Sequence, residues 1–336
     1  MAAFTTINDP SAYMKIQLYT GDGSIQAITF NDTDTAMQPD VVWIKNRDAG
    51  DTFLFFDSIR GAGEKLHTSE HPEPNESTDD DTLTAFGSNG FTVGDDDKVN
   101  TNTEKYVAWC FKDSATAGFD LISYSGNSTN RTVSHSLSAV PHFYFVLARG
   151  DDNRSNVYHR SNTSAPETDY LMLAYYNATT DSANPWNDTA PTSSVFSLGT
   201  ENAVNDTGNN YIACLFTSIQ GYSHFGGYIG NGNADGPFVY TGFRPKYLLI
   251  KNQGASENWV IKDNARSTYN QNILHLAADV EDSEFSTTAV AVDILSNGFK
   301  IRGTNAVINT DNSVYIYAAF AEAPLVNSEG VPCNAR

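Results

Sequence analysis

The feature that most constrains this chain is that it repeats itself. Tyr19-Thr-Gly-Asp22, Tyr124-Ser-Gly-Asn127 and Tyr228-Ile-Gly-Asn231 follow one another at intervals of 105 and 104 residues. The same intervals separate Gly94, Gly199 and Gly303, and again Phe111, Phe216 and Phe320. Between these lie Pro39, Pro141 and Pro245, each leading into an apolar run. Eighteen residues beyond each proline stands Asp57, His159 or Asp263. Landmarks in one order at near-constant offsets read as a threefold tandem repeat. The copies span residues 14–113, 119–217 and 222–323, and a tail, 324–336, follows. A period near 100 is too long for a solenoid unit and is about one small domain. The small-residue joints Ser114–Gly118 and Thr217–Gly221 therefore read as domain boundaries, where limited proteolysis is expected to release folded fragments.

Each copy carries the punctuation of an all-β unit. In the first, short apolar runs at 15–19, 27–30, 41–46, 52–56, 83–86, 91–93 and 106–111 are separated by Gly, Asp, Asn and Ser clusters. Ser88-Asn89-Gly90 and Ser296-Asn297-Gly298 sit between such runs and predict hairpins, because Asn-Gly tolerates positive φ at both turn positions. The 336 residues hold 19 Phe, 17 Tyr and 4 Trp, and only 18% are charged, a mix suited to half-buried strands rather than helices. The expectation is three tandem β-sandwich repeats, jelly-roll-like, of about 100 residues each.

Charge and cysteine usage exclude several classes. With 20 Lys and Arg against 40 Asp and Glu, the net charge of −20 repels phosphate backbones and anionic headgroups. Nucleic acid and membrane insertion are not expected. Met1 to Asp9 lacks a basic region and an apolar stretch, and the longest apolar runs, such as Phe143 to Ala148, are strand-length. Three cysteines, Cys110, Cys214 and Cys333, make no disulfide framework. Nine Asn-x-Ser/Thr sequons, among them Asn31, Asn127 and Asn187, reflect the Asn- and Thr-rich composition. Folding in a reducing cytoplasm is expected.

Chemistry-bearing motifs are sparse. There is no Cys-x-x-Cys, no Gly-x-Ser-x-Gly and no P-loop. Asp57 with Arg60 and Asp263 with Arg266 occupy matching places in the outer copies and read as structural ion pairs. The runs Asp79–Asp81 and Asp95-Asp96-Asp97 offer hard oxygens for calcium without the spacing of a calcium loop, and read first as solvated acidic loops. Trp43, Trp109 and Trp259 lie in apolar strands and read as core. Trp186 lies in a turn-rich stretch with Asn187 and Asp188, preceded by Tyr175 and Tyr176; this group reads either as a loop Trp folded onto its own domain or as a candidate glycan site, one ring for stacking and amide or carboxylate groups for hydroxyls. The middle copy is the divergent one: Leu147 replaces Lys45 and Lys251, and His159 replaces Asp57 and Asp263.

Tyr19-Thr-Gly-Asp-Gly23, Gln38 to Arg47, Asp57-Ser-Ile-Arg-Gly61, Ser88-Asn-Gly-Phe91 and Tyr106 to Lys112 resemble a β-rich domain of virion structural and tail-fibre proteins of marine tailed bacteriophages. Gly236 to Lys246 and Tyr315 to Pro324 resemble the second half of that family. The resemblance implies a non-enzymatic virion protein, assembled in the host cytoplasm, and carries over no catalytic residue and no cofactor. A tail fibre or receptor-binding appendage is the first expectation, with other virion proteins and a host surface glycan as partners and a homo-oligomer, a trimer, supplying avidity. A capsid decoration or head-fibre protein is the alternative, and a polysaccharide depolymerase ranks third.

Overall fold

The computed structural model describes residues 4–30, 35–69, 76–150 and 155–334; the Asn31 sequon and the last two tail residues lie outside them. The chain is mostly β-strand, in antiparallel sheets, with a few single-turn helices. Three six-stranded sheets dominate. The first runs, in spatial order, Met14–Thr20, Lys105–Phe111, Val41–Asn46, Leu54–Asp57, Glu64–His67 and Glu76–Thr78. The second, built from Phe119 to Asp181 and Asn210–Phe216, and the third, from Ser223 to Ser286 and Val314–Pro324, use the same relative strand order. Each is faced by a smaller sheet of two or three strands, such as Gln26–Thr29, Gly90–Val93 and Leu83–Gly87. The layers are unequal, unlike the even pair of sheets in a jelly roll.

Val41–Asn46 and Phe143–Ala148 are buried on both faces, which is why Val41–Ile44 and Phe143–Ala148 read as unbroken apolar runs rather than alternating ones. In the first segment, Val42, Ile44, Leu54 and Phe56 point one way and meet Ile28, Leu83 and Phe91 of the small sheet in a local core. Separate local cores fill the second and third segments. Val41, Trp43, Phe55 and Trp109 point the other way, into a cluster that also takes Phe119, Phe143 and Phe216 from the second segment and Phe225, Tyr247 and Phe320 from the third. The centre of the molecule is thus common to all three segments. At its middle the landmark phenylalanines close a triangle, with ring centroids 5.9 Å apart for Phe111–Phe216, 5.3 Å for Phe111–Phe320 and 5.7 Å for Phe216–Phe320. A cavity of about 30 Å³ lies beside them, walled by apolar groups. The joints do not stand apart from this centre, since Ala117, Phe119 and Tyr222 belong to it.

The other landmarks explain themselves locally. A Cβ on Gly21, Gly126 or Gly230 would come within 2.2, 2.1 and 2.3 Å of the carbonyl oxygens of Thr101, Asp206 and Thr310, so only glycine fits. The hydroxyls of Tyr19, Tyr124 and Tyr228 donate to the carbonyls of Val99, Val204 and Ile308 at 2.8, 2.7 and 2.7 Å. Each of these rings stacks on another tyrosine, Tyr106, Tyr211 or Tyr315. All seven expected strands of the first segment form, within two residues at their ends, but Glu64–His67 and Glu76–Thr78 are additional. Their polar sequences carry no period-2 signal. The hairpin at 88–90 forms with Ser88 and Asn89 as its turn, while Gly90 opens the next strand at φ +131. Among the described residues no helix is long and apolar enough to cross a membrane.

Candidate functional site

The edges where the large sheets meet carry the buried charge. Arg60 Nε donates to Asp57 Oδ2 at 2.5 Å, and its Nη1 reaches Glu76 Oε1 at 3.2 Å. Arg149, from the second segment, closes on both oxygens of Glu76 at 2.8 Å. The third segment repeats this chain against the first: Arg266 Nε to Asp263 Oδ2 at 2.5 Å, Arg266 Nη1 to Glu284 Oε2 at 2.8 Å, and Arg47 Nη2 to Glu284 Oε1 at 2.5 Å. The Asp and Arg side chains of both pairs are at most 1% exposed. Trp109 Nε1, of the first segment, donates to Asp263 Oδ2 at 3.2 Å. These pairs tie one segment to the next.

Between the second and third segments the same positions are neutral. His159, Asn162, Thr179 and Gln253 stand where the other joints have Asp, Arg, Glu and Arg. Ser161 N–H donates to His159 Nδ1 at 3.1 Å, so Nε2 carries the proton and donates to the Tyr317 carbonyl at 3.1 Å. Burial pushes the His159 imidazole down to about 3, so it stays neutral. Thr179 Oγ1 donates to Asn162 Oδ1 at 2.7 Å and Thr179 N–H to the Gln253 carbonyl at 2.8 Å. The joint between the second and third segments is thus held by neutral groups. Lys45 and Lys251 serve their own loops, each ammonium donating to two backbone carbonyls, of Asn46 and Ala49 and of Asn252 and Ala255. Burial pushes both down to about 8.

The expected glycan group does not assemble. Trp186 is fully buried in the local core of the second segment, its ring edge-on to Tyr144 with centroids 5.0 Å apart and its Nε1 donating to the Asp169 carbonyl at 3.1 Å. Its turn-rich neighbours fold it inward, so it presents no face to a sugar. Asn187 and Asp188 are exposed in a left-handed turn, at φ +54 and +45. Tyr175 lines a separate cleft and Tyr176 is 48% exposed. Asp96 caps the helix Asp97–Asn100, accepting from Lys98 N–H at 2.8 Å, while Asp95 and Asp97 are exposed. Asp79 pairs with Lys65 at 2.6 Å. Among the described residues no three His, Cys, Asp or Glu side chains converge to hold a metal ion.

The arrangement sought at Trp186 occurs instead at Tyr269. This ring is 82% exposed, the highest value for any large apolar or aromatic side chain among the described residues. It stands between two adjoining hollows of about 580 and 440 Å³, which share Arg244, Thr268 and Ser296 with it. Asn264, Glu322 and Asn334 line the first, and Asn270 and Asn297 the second. Arg244 and Glu322 form an ion pair on the groove wall. Asn270 is fixed by both amide atoms to the Ile294 backbone, at 2.8 and 2.9 Å, and Asn334 is tied to the Ala323 and Pro324 carbonyls at 2.9 and 3.1 Å. An exposed ring between two polar hollows sets a stacking face beside hydrogen-bonding groups. Ser267-Thr-Tyr269-Asn-Gln-Asn272 has the same polar, turn-rich context as the Trp186 stretch, and that signal was there to be read.

Residues 9–324 match the family described as Domain of unknown function (DUF7483). No curated protein matches the chain.

Proposed function

We propose a role for this chain, which belongs to the DUF7483 family, from its own geometry: a non-enzymatic virion structural protein that serves as a tail-fibre or receptor-binding subunit and engages a host surface glycan through the Tyr269 groove. The observation that carries the reading is the exposed Tyr269 ring set between two polar hollows on an otherwise interlocked core. In this reading the chain is three copies of one β-sandwich, 14–113, 119–217 and 222–323. The common strand order, the recurrent Tyr–glycine–carbonyl contacts and the phenylalanine triangle support it. The locked segments resist shear and the groove recognises the surface. Other virion proteins hold the chain on the particle, and a homotrimer would set three grooves about one axis and add avidity.

A depolymerase needs two carboxylates flanking the bound sugar. Glu322 is the only acid lining the groove among the described residues, and Arg244 holds it, which favours binding over cleavage.

Competition tests the proposal. Purified chain is expected to block adsorption of the source particles to their host, and Tyr269→Ala chain of unchanged thermal stability is not. Equal blocking by the variant removes the groove from the mechanism. No blocking by the unaltered chain refutes receptor engagement and leaves capsid decoration as the role to examine.

A further inference from the structure

The middle segment holds a second cleft, of about 390 Å³, lined by Asn156, Tyr170, Met172, Tyr175, Asn177 and Glu201. Its floor is one face of a sheet. In the pairing of Ser155–His159 with Asp169–Met172, Asn156 lies directly opposite Met172, and Tyr170 follows two residues on, so all three side chains share that face. The corresponding positions in the outer segments are Leu54 and Val260, both fully buried in apolar cores. An amide has thus replaced a methyl-bearing side chain at a position the fold fills with hydrocarbon. Asn156 is 1% exposed, and among the described residues neither its Oδ1 nor its Nδ2 has a hydrogen-bond partner. Buried amides left so are rare and destabilising, and a residue kept against stability points to a ligand.

We propose that this cleft is a binding site for the acetamido group of an N-acetylated sugar. A carboxamide offers one acceptor and a pair of donors side by side, and an acetamido N–H together with the neighbouring ring hydroxyl answers both. The ligand's N–H donates to Asn156 Oδ1, and the adjacent ring hydroxyl oxygen accepts from Asn156 Nδ2. A carboxylate would set like partial charges against Oδ1, and an ammonium would leave Nδ2 unanswered. The acetamido methyl lies against Met172, and Tyr170 and Tyr175 give faces for the pyranose ring. Asn177, exposed at the rim, reaches its hydroxyls. The site is distinct from the Tyr269 groove.

The test is titration of the full chain with N-acetylglucosamine, glucose and N-acetylalanine amide, followed by saturation-transfer NMR and calorimetry. N-acetylglucosamine is expected to bind at least tenfold more tightly than either of the others. Asn156→Leu, which copies Leu54, is expected to weaken that binding at least tenfold and to raise the melting temperature. Run in the Tyr269→Ala chain, the titration reads this cleft alone, so its outcome is independent of the adsorption experiment. The proposal is overturned by no binding of N-acetylglucosamine at tens of millimolar, by equal binding of glucose or of the peptide-like amide, by retained binding in Asn156→Leu, or by a lower melting temperature in that variant.

Discussion

Removing one carboxylate from a joint is the most direct challenge to the idea that buried charge locks the segments. Asp263 accepts from Arg266 Nε at 2.5 Å, Arg266 N–H at 2.8 Å and Trp109 Nε1 at 3.2 Å, the last across the joint. In Asp263→Ala the guanidinium stays buried with Glu284 and the Ile261 carbonyl as its remaining partners. Breaking a buried pair by deleting one side costs about 3–5 kcal/mol. Unfolding entropy of roughly 2.1 cal/mol/K per residue, over a chain this long, makes each degree worth about 0.7 kcal/mol. The melting temperature should therefore fall by about 4–7 °C in calorimetry at pH 7. The second arm transplants the neutral joint whole: Asp263→His, Arg266→Asn, Glu284→Thr and Arg47→Gln together. Replacing an entire buried ionic group leaves no charge stranded, so the loss should stay under about 2 kcal/mol, or about 3 °C. A quadruple variant as unstable as the single one refutes the reasoning, as does a single variant that melts within about 1 °C of the parent.

Three further outcomes are expected. His159 is neutral and buried when folded, near 6.5 when unfolded and about 3 when folded, so its contribution is complete above pH 6.5 and is lost as the pH falls toward 3. Urea unfolding at pH 7 and pH 5 should show about 2 kcal/mol less stability at the lower pH from this group, and His159→Gln should remove that part of the slope. Trp186→Ala should cost about 3–5 kcal/mol by opening a hole in the second local core, while leaving particle-adsorption competition intact; an unchanged melting temperature contradicts the burial. Limited proteolysis should yield no fragments of single-segment size at 115–118 or 220–224, and electrophoresis showing stable fragments of about 100 residues would mean that the central core does not hold the segments together.

The sequence carried most of the strand layout because strands buried on both faces announce themselves as continuous apolar runs. Val41–Asn46 and Lys105–Phe111 are legible for that reason. Glu64–His67 was not, because its burial comes from neighbouring strands rather than from its own pattern. The landmark glycines and tyrosines mark matching local contacts, yet nothing local told that Phe111, Phe216 and Phe320 would meet one another. Contacts between residues over 100 positions apart leave no trace in any window of sequence. The same limit explains the site. Trp186 and Tyr269 share a polar context, and what separates them is whether a local core lies within reach of the ring: Tyr144 and Tyr158 take the first, while the second projects past its sheet. Exposure is a property of the folded neighbourhood.

The shared centre also sets an order of events during synthesis. Trp43, Trp109, Phe145 and Phe216 belong to a cluster that is closed only by Phe225, Tyr247 and Phe320. A ribosome adding about 5–20 residues per second takes roughly 5–20 s to deliver the third segment. Throughout that interval the aromatic side chains of the first two segments lack the partners that close the centre. The centre is complete only once Val314–Pro324 takes its place between its two neighbours.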